Sequence, residues 1–369
     1  MDFSTVVVVP AVPGAPSTER IGAMTVIRFR YFFRRWEDLA DGAIIENLRS
    51  KPSRILQIVP FMIAEHLAVQ RWVRRHQPDV LHVHWIIPQG LAVLPLLRRI
   101  PALVTTLGGD LYALNGRMPT VLKRAVVVRA AALTTMNQDM KQRLEALGAD
   151  PESVKVMPMG ADLPVIRAGA SSVERVPGRM LFVGRLVEKK GLGVLIEAVR
   201  RLPAALDWSL MVVGDGPLRS ELEQAAAGLR VEFVGQLSRA ALAARYGTSE
   251  VVVVPSIQAA SGDQDGLPVA LLEAMGAGCA IVASDLAGIN SVVQPDLSGV
   301  LVPSGDVGAL STALSALLID PVRRKRLGAG ASDIADGLSV QAVGARYCDL
   351  LNELVDNRRP AQRSTATQA

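Results

Sequence analysis

The sequence predicts an α/β protein of two domains, each a parallel sheet covered by helices on both faces. Three observations carry this expectation. The chain has 369 residues, 50% of them hydrophobic and 20% charged, which suits two globular cores of ordinary size. Short apolar runs alternate with amphipathic stretches along nearly its whole length, the pattern of parallel strands joined by crossover helices. Several of those runs end in glycine-bearing turns, at 107–116, 183–191, 214–217 and 262–268, where open α/β sheets hold their ligands.

In chain order, 5–9 is a Val-rich strand that stops at Pro10, and a Pro/Gly/Ala-rich loop follows to Pro16. A second strand covers 25–30 and runs into RFRYFFRRW at 28–36, where aromatic and basic residues are interleaved. That pattern suits a membrane interface, rings inward and cations on headgroups, and equally a strand end packing its aromatics. An amphipathic helix at 55–77 feeds a buried strand at 80–83, whose end presents His84 and Trp85. Helix 91–99, strand 102–106 and the loop LGGDLYALNG come next, with Asp110 the only acid of that loop. Helix 123–131, strand 133–136, helix 138–147 closed by Gly148, and strand 154–157 complete a first domain over 1–165. Residues 163–178, broken by Pro, Gly, Ser and Arg, read as an interdomain linker. The second domain, 166–338, places strands at 179–183, 209–213, 231–234, 251–254 and 280–283. Its helices fall at 191–202, 218–227, 238–246, 269–277, 307–318 and 321–327. A last amphipathic helix covers 340–356, and the polar tail 357–369 reads as disordered.

Composition narrows the function classes. No apolar run is long enough to span a bilayer, since 55–73 is broken by Glu65, His66, Gln70 and Arg71. No secretory leader is evident, because Met1 is followed by Asp2 and a Val-rich strand. Cys279 and Cys348 lie far apart in helix-like contexts and read as reduced residues of a cytoplasmic protein. Four histidines, only His82 and His84 close in sequence, argue against a multi-His metal centre. Residues 1–165 carry 20 Lys/Arg against 14 Asp/Glu, a net of +6, and 166–369 carry 20 against 21, a net of −1. An anionic partner such as a membrane surface suits the first half, and a merely basic surface explains the charge as well. No aromatic-basic motif for nucleic acid is present.

The chemistry concentrates in GDQDGLPVALLEAMGAGCAIVAS, 262–284. Asp265 and Glu273 flank a Gly-Leu-Pro turn, with Pro268 in the first turn of a helix and Gly278 at its end. Helical side chains tilt toward the N-terminus, so Glu273 is expected to lean toward the turn that carries Asp265. Gly266 and the amides up to Val269 offer a nest for an anion beside carboxylates that accept from hydroxyls. Acids are also common in first turns without binding anything, so the position between two strands carries the weight here. On the phosphate side, VGRLVEKKG at 183–191 places Arg185 and Lys190 five residues apart across a tight loop. A planar fork and a mobile point charge suit a diphosphate, whereas Glu188 and Lys189 read as solvated. GDGP at 214–217 lacks the third glycine and following acid of a dinucleotide fingerprint, so no NAD site is expected.

With VGRLVEKKG, VGDGPLR, VEFVGQLS and DGLPVALLEAMGAG in this order, the chain resembles family 4 retaining glycosyltransferases of the GT-B fold, over nearly all of 78–354. The resemblance implies two Rossmann-like domains facing a cleft, an acceptor domain first and a donor domain second. It implies that the last helix crosses back onto the first domain. It also implies a nucleoside-diphosphate sugar as donor, no metal ion and no cofactor. Arg185 and Lys190 would neutralise the diphosphate, and Asp265 would hold hydroxyls of the transferred sugar. Glu273 would accept from the ribose, and Gln236 would meet the base. Gly184, Gly214 and the turn Gly266, Leu267, Pro268 and Val269 would line the donor. The acceptor would be a saccharide or lipid-linked saccharide of a bacterial envelope pathway, reached at the inner face of the plasma membrane.

Three departures stand out. The first acid of the family's usual Glu pair is Asp265 here. The family's strand-end HGGD motif reads LGGD, so Leu107 stands where a histidine is usual; Asp110 is kept, and His84 becomes the nearest polar candidate for the cleft. The family's first βα unit, with its Gly-rich loop, is expected to be missing ahead of the 3–9 segment. The last two departures leave a second reading open, a nucleotide-sugar-binding homologue or scaffold without turnover. An epimerase on a similar fold has no support, since it needs paired acid–base groups.

Overall fold

A computed structural model describes residues 3–41, 44–112, 116–260, 262 and 264–366. In the first domain β1 (Val6–Pro10), β2 (Thr18–Ile21) and β3 (Met24–Phe29) form one sheet in the order β1-β3-β2. β1 and β3 are parallel, and β2 returns antiparallel to β3. β4 (Leu81–His84), β5 (Ala102–Thr105), β6 (Ala132–Thr135) and β7 (Val154–Val156) form a second sheet, parallel throughout and in chain order. The first domain therefore departs from a single parallel sheet. β2 escaped the sequence reading because Thr18-Glu19-Arg20-Ile21 has no apolar run; it pairs through its backbone as an edge strand with mostly polar side chains.

One helix ties these two sheets together. Ile58–His76 packs Phe61, Ala64 and Ala68 with Phe29 of the first sheet and with Tyr31 and Leu39 of the segment that leaves it. Farther along, its Val69 and Val73 meet the core of the second. Phe29 and Tyr31 are buried against the Phe61 ring, at centroid distances of 5.6 and 5.0 Å, while Phe33 and Trp36 stay exposed. The aromatic-basic segment thus divides: its start packs, and its end faces out.

The second domain is a six-stranded parallel sheet. Its strands are β8 (Arg179–Val183), β9 (Ser209–Val213), β10 (Val231–Gly235), β11 (Val251–Val254), β12 (Ala280–Ser284) and β13 (Gly299–Val302). Their order is β10-β9-β8-β11-β12-β13, so the connection from β10 to β11 crosses to the other side of β8. β11 and β12 are buried at every residue, as unbroken apolar runs in a parallel sheet require. β13 was not foreseen from the sequence. Gly299 at its start is packed against Val293 and Ile281, a close approach that propensity does not reveal.

Four further expectations are corrected. Residues 163–178 do not form an open linker: Leu163–Ser171 is a helix that buries Leu163 and Ile166 against Ala243 and Tyr246 of the Arg239–Thr248 helix. Pro164 sits in its first turn, where a missing N–H costs nothing, so it starts the helix instead of breaking it. The helix expected at 123–131 runs Arg117–Val127, directly after Gly116. The one expected to stop at Leu327 continues over Pro321–Asp336, where Gly328 and Gly330 leave room for the Gly278 and Leu297 carbonyls to approach closely. The last helix runs Val340–Ala366, so the backbone of 357–366, expected to be disordered, continues helically, while 367–369 lie outside the described residues. Its first half crosses onto the first domain, where Leu350 is buried with Leu103, Ala132 and Met157. There the Tyr347 hydroxyl donates to Thr134 Oγ1 at 3.3 Å.

Candidate active site

The turn 262–268 follows β11 and leads into the Val269–Gly276 helix. Pro268 occupies its N-cap, one position earlier than the sequence suggested, and Gly278 closes it in the left-handed conformation. Asp265 is the polar centre. Its Oδ2 accepts from Lys190 Nζ at 2.8 Å and from Ser256 Oγ at 2.9 Å, and Lys189 Nζ lies 3.8 Å from Oδ1. Ser256 was not singled out from the sequence, although its place just past the end of β11 could have flagged it. Glu188 and Lys189, expected to be solvated, are engaged. Glu188 Oε1 accepts from the Ala260 amide at 2.9 Å, and the Lys189 carbonyl accepts from Ile257 N at 2.8 Å. The 184–191 loop and the segment after β11 are thus sewn together by three consecutive residues.

Two glycines make that approach geometrically feasible. At Gly191 (φ +67°) a Cβ would run into the Pro255 carbonyl, and at Gly214 (φ +135°) into the Gly184 carbonyl. Both conditions select glycine, for space and for backbone angle. Gly184 in turn sits beside the methylenes of Lys190. The structure therefore brings Gly214, Gly184, Lys190 and Asp265 into one continuous line at the carboxyl ends of β8, β9 and β11. Arg185 is exposed beside them. Gln236 is exposed just past β10, whose Gly235 carbonyl accepts from Gly214 N at 2.8 Å.

Glu273 is buried on the helix, and its Oε2 accepts from the Tyr246 hydroxyl at 3.0 Å. Burial raises its pKa, opposed by the Tyr246 hydrogen bond and by the nearby charge of Arg239. Tyr246 is itself fully buried, and desolvation together with Glu273 pushes its own pKa well up, so it stays a hydrogen-bond donor. This tyrosine is a partner the sequence reading missed; a Tyr late in a crossover helix carries no motif.

The first domain reaches the Gly266 turn directly. Asn137, fully buried, caps the Gln138–Ala146 helix by accepting from Met140 N at 2.9 Å, and its Nδ2 donates to the Gly266 carbonyl at 3.3 Å. Gly108 and the Leu107 carbonyl also lie against Gly266. Leu107 itself packs, half-buried, on the core. Asp110 takes a different role from the one expected. It is buried, and its carboxylate accepts from Ile86 N at 2.7 Å, Thr106 Oγ1 at 2.8 Å and Leu107 N at 3.2 Å. Its oxygens are spent on pinning the strand-end loop, which makes it a positioning residue. His84 is not brought to the turn either. It shares a strand face with His82, at a ring distance of 4.3 Å, and His82 in turn meets Tyr347 of the last helix at 5.4 Å. Nearby, Tyr112 donates to Asp139 at 2.8 Å under the Arg143 guanidinium, 4.9 Å from the ring. No group of three or more His, Cys, Asp or Glu able to hold a metal ion occurs among the described residues.

Two α/β domains meeting at the carboxyl ends of their strands, with a lysine–carboxylate pair in a glycine-lined cleft, define a GT-B-type protein. Solved structures agree on the fold. Sucrose-phosphate synthase from Thermosynechococcus elongatus superposes with a TM-score of 0.75 at 21% identity, over 96% of this chain and 90% of that one. Anabaena HepE in complex with UDP-glucose gives 0.66 at 19%, over 85% and 90%. The family descriptions "Glycosyltransferase Family 4" and "Glycosyl transferases group 1" match residues 3–164 and 177–320. Phosphatidyl-myo-inositol mannosyltransferase of Mycobacterium leprae is 31% identical over 74% of this chain and 73% of its own. The chain belongs to glycosyltransferase family 4. A putative colanic acid biosynthesis glycosyltransferase, WcaL of Salmonella typhimurium, is 36% identical over 47% of this chain and 44% of its own. The chain thus spans about half the length of the first curated relatives it matches.

Proposed function

We propose that this chain transfers a sugar from a nucleoside diphosphate to an acceptor hydroxyl, with retention at the anomeric carbon. The observation that carries the reading is the Lys190–Asp265 pair at 2.8 Å between two strand-end loops. A diphosphate entering the Gly184–Gly214 cradle competes for Lys190 and frees Asp265 to accept from hydroxyls of the sugar. Arg185 and Lys190 then supply the positive charge that offsets the departing diphosphate, without a metal ion. Departure and attack occur on the same face, and the leaving phosphate takes the acceptor's proton. Glu273 accepts from the ribose with the oxygen that Tyr246 does not hold, and Gln236 lies at the base end.

HepE binding UDP-glucose supports a nucleotide-sugar donor, and the names of WcaL and the mannosyltransferase support envelope polysaccharide or glycolipid synthesis. The acceptor on this reading is a saccharide or lipid-linked saccharide, met in the cytoplasm at the inner face of the membrane. No helix among the described residues is long and apolar enough to cross it. The test is incubation with UDP-, GDP- and ADP-sugars and a panel of saccharide acceptors, followed by NMR of the product's anomeric centre. Retained configuration without added metal supports the reading, and inversion rejects it. A second reading, a donor-binding homologue without turnover, is favoured by Leu107 in place of a hydrogen-bonding side chain. Nucleotide-induced stabilisation with no nucleotide released from any sugar donor would select it.

A further inference from the structure

The first domain carries an uncovered apolar stripe. In the Ile58–His76 helix, Val59, Ile63 and Leu67 recur every four residues on one face, and each is more than half exposed. Ile55 and Leu56, in the 3-10 turn just before, extend the stripe and are exposed to a similar degree. Arg71 and Arg74 continue the same side of the helix, at spacings of four and seven from Leu67, and Arg75 lies beside them. All three are exposed, and none joins an ion pair among the described residues. Residues 51–76 contain one acid, Glu65, and it is buried on the opposite face with Phe61. Lys51 and Arg54 are held by Asp38, at 3.6 and 2.9 Å, so the free positive charge belongs to the arginine end.

Topology sets the stripe relative to the cleft. The helix follows β3 and precedes β4, so it runs against the strands and begins at their carboxyl ends, where the cleft lies. Ile55, Leu56 and Val59 therefore lie at the cleft end. The exposed pair Phe33 and Trp36, in the loop that leaves β3, shares that end.

We propose that this face docks the chain on an anionic phospholipid bilayer, with the Ile55–Leu67 side chains in the acyl boundary and Arg71, Arg74 and Arg75 on lipid phosphates. An apolar stripe continued by arginines and free of exposed acid fits such a surface by charge as well as by polarity. With its other face packed on its own domain, the helix can meet a bilayer only by lying in the interface plane. The 59–74 span is about 22 Å at 1.5 Å per residue, long enough to orient the domain. The inference extends the lipid-linked acceptor reading, because docking brings the cleft end of the helix to the bilayer.

The test is sedimentation of the full chain with phosphatidylcholine vesicles, with and without 30 mole per cent (about one lipid in three) phosphatidylglycerol. Binding to the anionic vesicles is expected, weakened at high salt, with little binding to the neutral ones. Ile63→Asp with Leu67→Asp should lower the bound fraction at least about tenfold, in line with losing two interfacial aliphatic anchors. Arg71→Gln with Arg74→Gln, which leaves the packed face untouched, should remove the preference for anionic lipid. Wild-type binding unchanged in both variants overturns the proposal, as does absence of binding by folded wild type. A dimer in light scattering that Ile63→Asp converts to monomer would overturn it too, by assigning the stripe to a second copy. Transfer to an acceptor free of lipid is measured separately, so failure of docking and failure of the glycosyltransferase reading remain distinct.

Discussion

Lys190 and Asp265 hold each other at 2.8 Å, with Ser256 on the same carboxylate oxygen, so on the proposed function a diphosphate would enter by exchanging partners within an existing polar cluster. Lys190→Ala should lower transfer by about a hundred- to a thousandfold, the scale of losing one charge-stabilising donor. The fold should survive, because Ser256 and Lys189 still face Asp265. Wild-type turnover in that variant would dismiss the phosphate role. Glu65 offers a second residue-scale prediction, unrelated to the site. Burial lifts its carboxyl from 4.5 to about 7, and its Oε2 has no hydrogen-bond partner. Between those two values the folded chain keeps a proton that the unfolded chain has lost, so stability falls as pH rises through the window. The full penalty above pH 7 is about 3 kcal/mol. Glu65→Gln should therefore melt increasingly above wild type as pH goes from 5 to 8. A gap that does not grow with pH would contradict the burial account.

At the scale of elements, the last helix is the clearest case of a segment whose sequence and role come apart. Its amphipathic pattern is legible, but which sheet it covers depends on Leu350 meeting Leu103, Ala132 and Met157, far away in sequence. Leu350→Ala should cost about 2–5 kcal/mol, the usual range for a buried leucine, and lower the melting temperature accordingly. A change within error would mean that the helix does not seal the first domain. Strands built from unbroken Val, Ile and Ala were legible because parallel sheets bury both faces. β2 and the Leu163–Ser171 helix were not. One is an edge strand with polar side chains, and the other begins with a proline that reads as a breaker until its first-turn position is known. Small residues in the Pro321–Asp336 helix misled in the same way, since Gly328 serves packing there.

At the scale of the whole molecule, the first domain touches the turn after β11 through Asn137, Gly108 and the Leu107 carbonyl, so a ligand held at that turn would be met from both sides of the cleft. A nucleoside diphosphate at 100 times its dissociation constant should stabilise the protein by about 2.7 kcal/mol, seen as a rise in melting temperature. A screen of UDP, GDP and ADP would identify the base. No shift with any of the three would count against the donor site itself.

The sequence by itself determined the α/β class, the two-domain series, and the turn that carries Asp265 and Glu273, because these rest on local periodicity and on Gly/Pro chemistry. It also placed Arg185 and Lys190 at one strand end. Tertiary structure decided what those groups face. It turned Asp110 inward as an anchor for its loop, set His84 against His82, and gave Glu273 a tyrosine. It recruited Ser256 to Asp265, and it divided the first domain into two sheets. Each of these depends on which backbone amide, hydroxyl or ring lies within about 3–5 Å after packing. Several of them join residues tens of positions apart, as for Asp110 with Ile86 and Glu273 with Tyr246, and local pattern does not encode them.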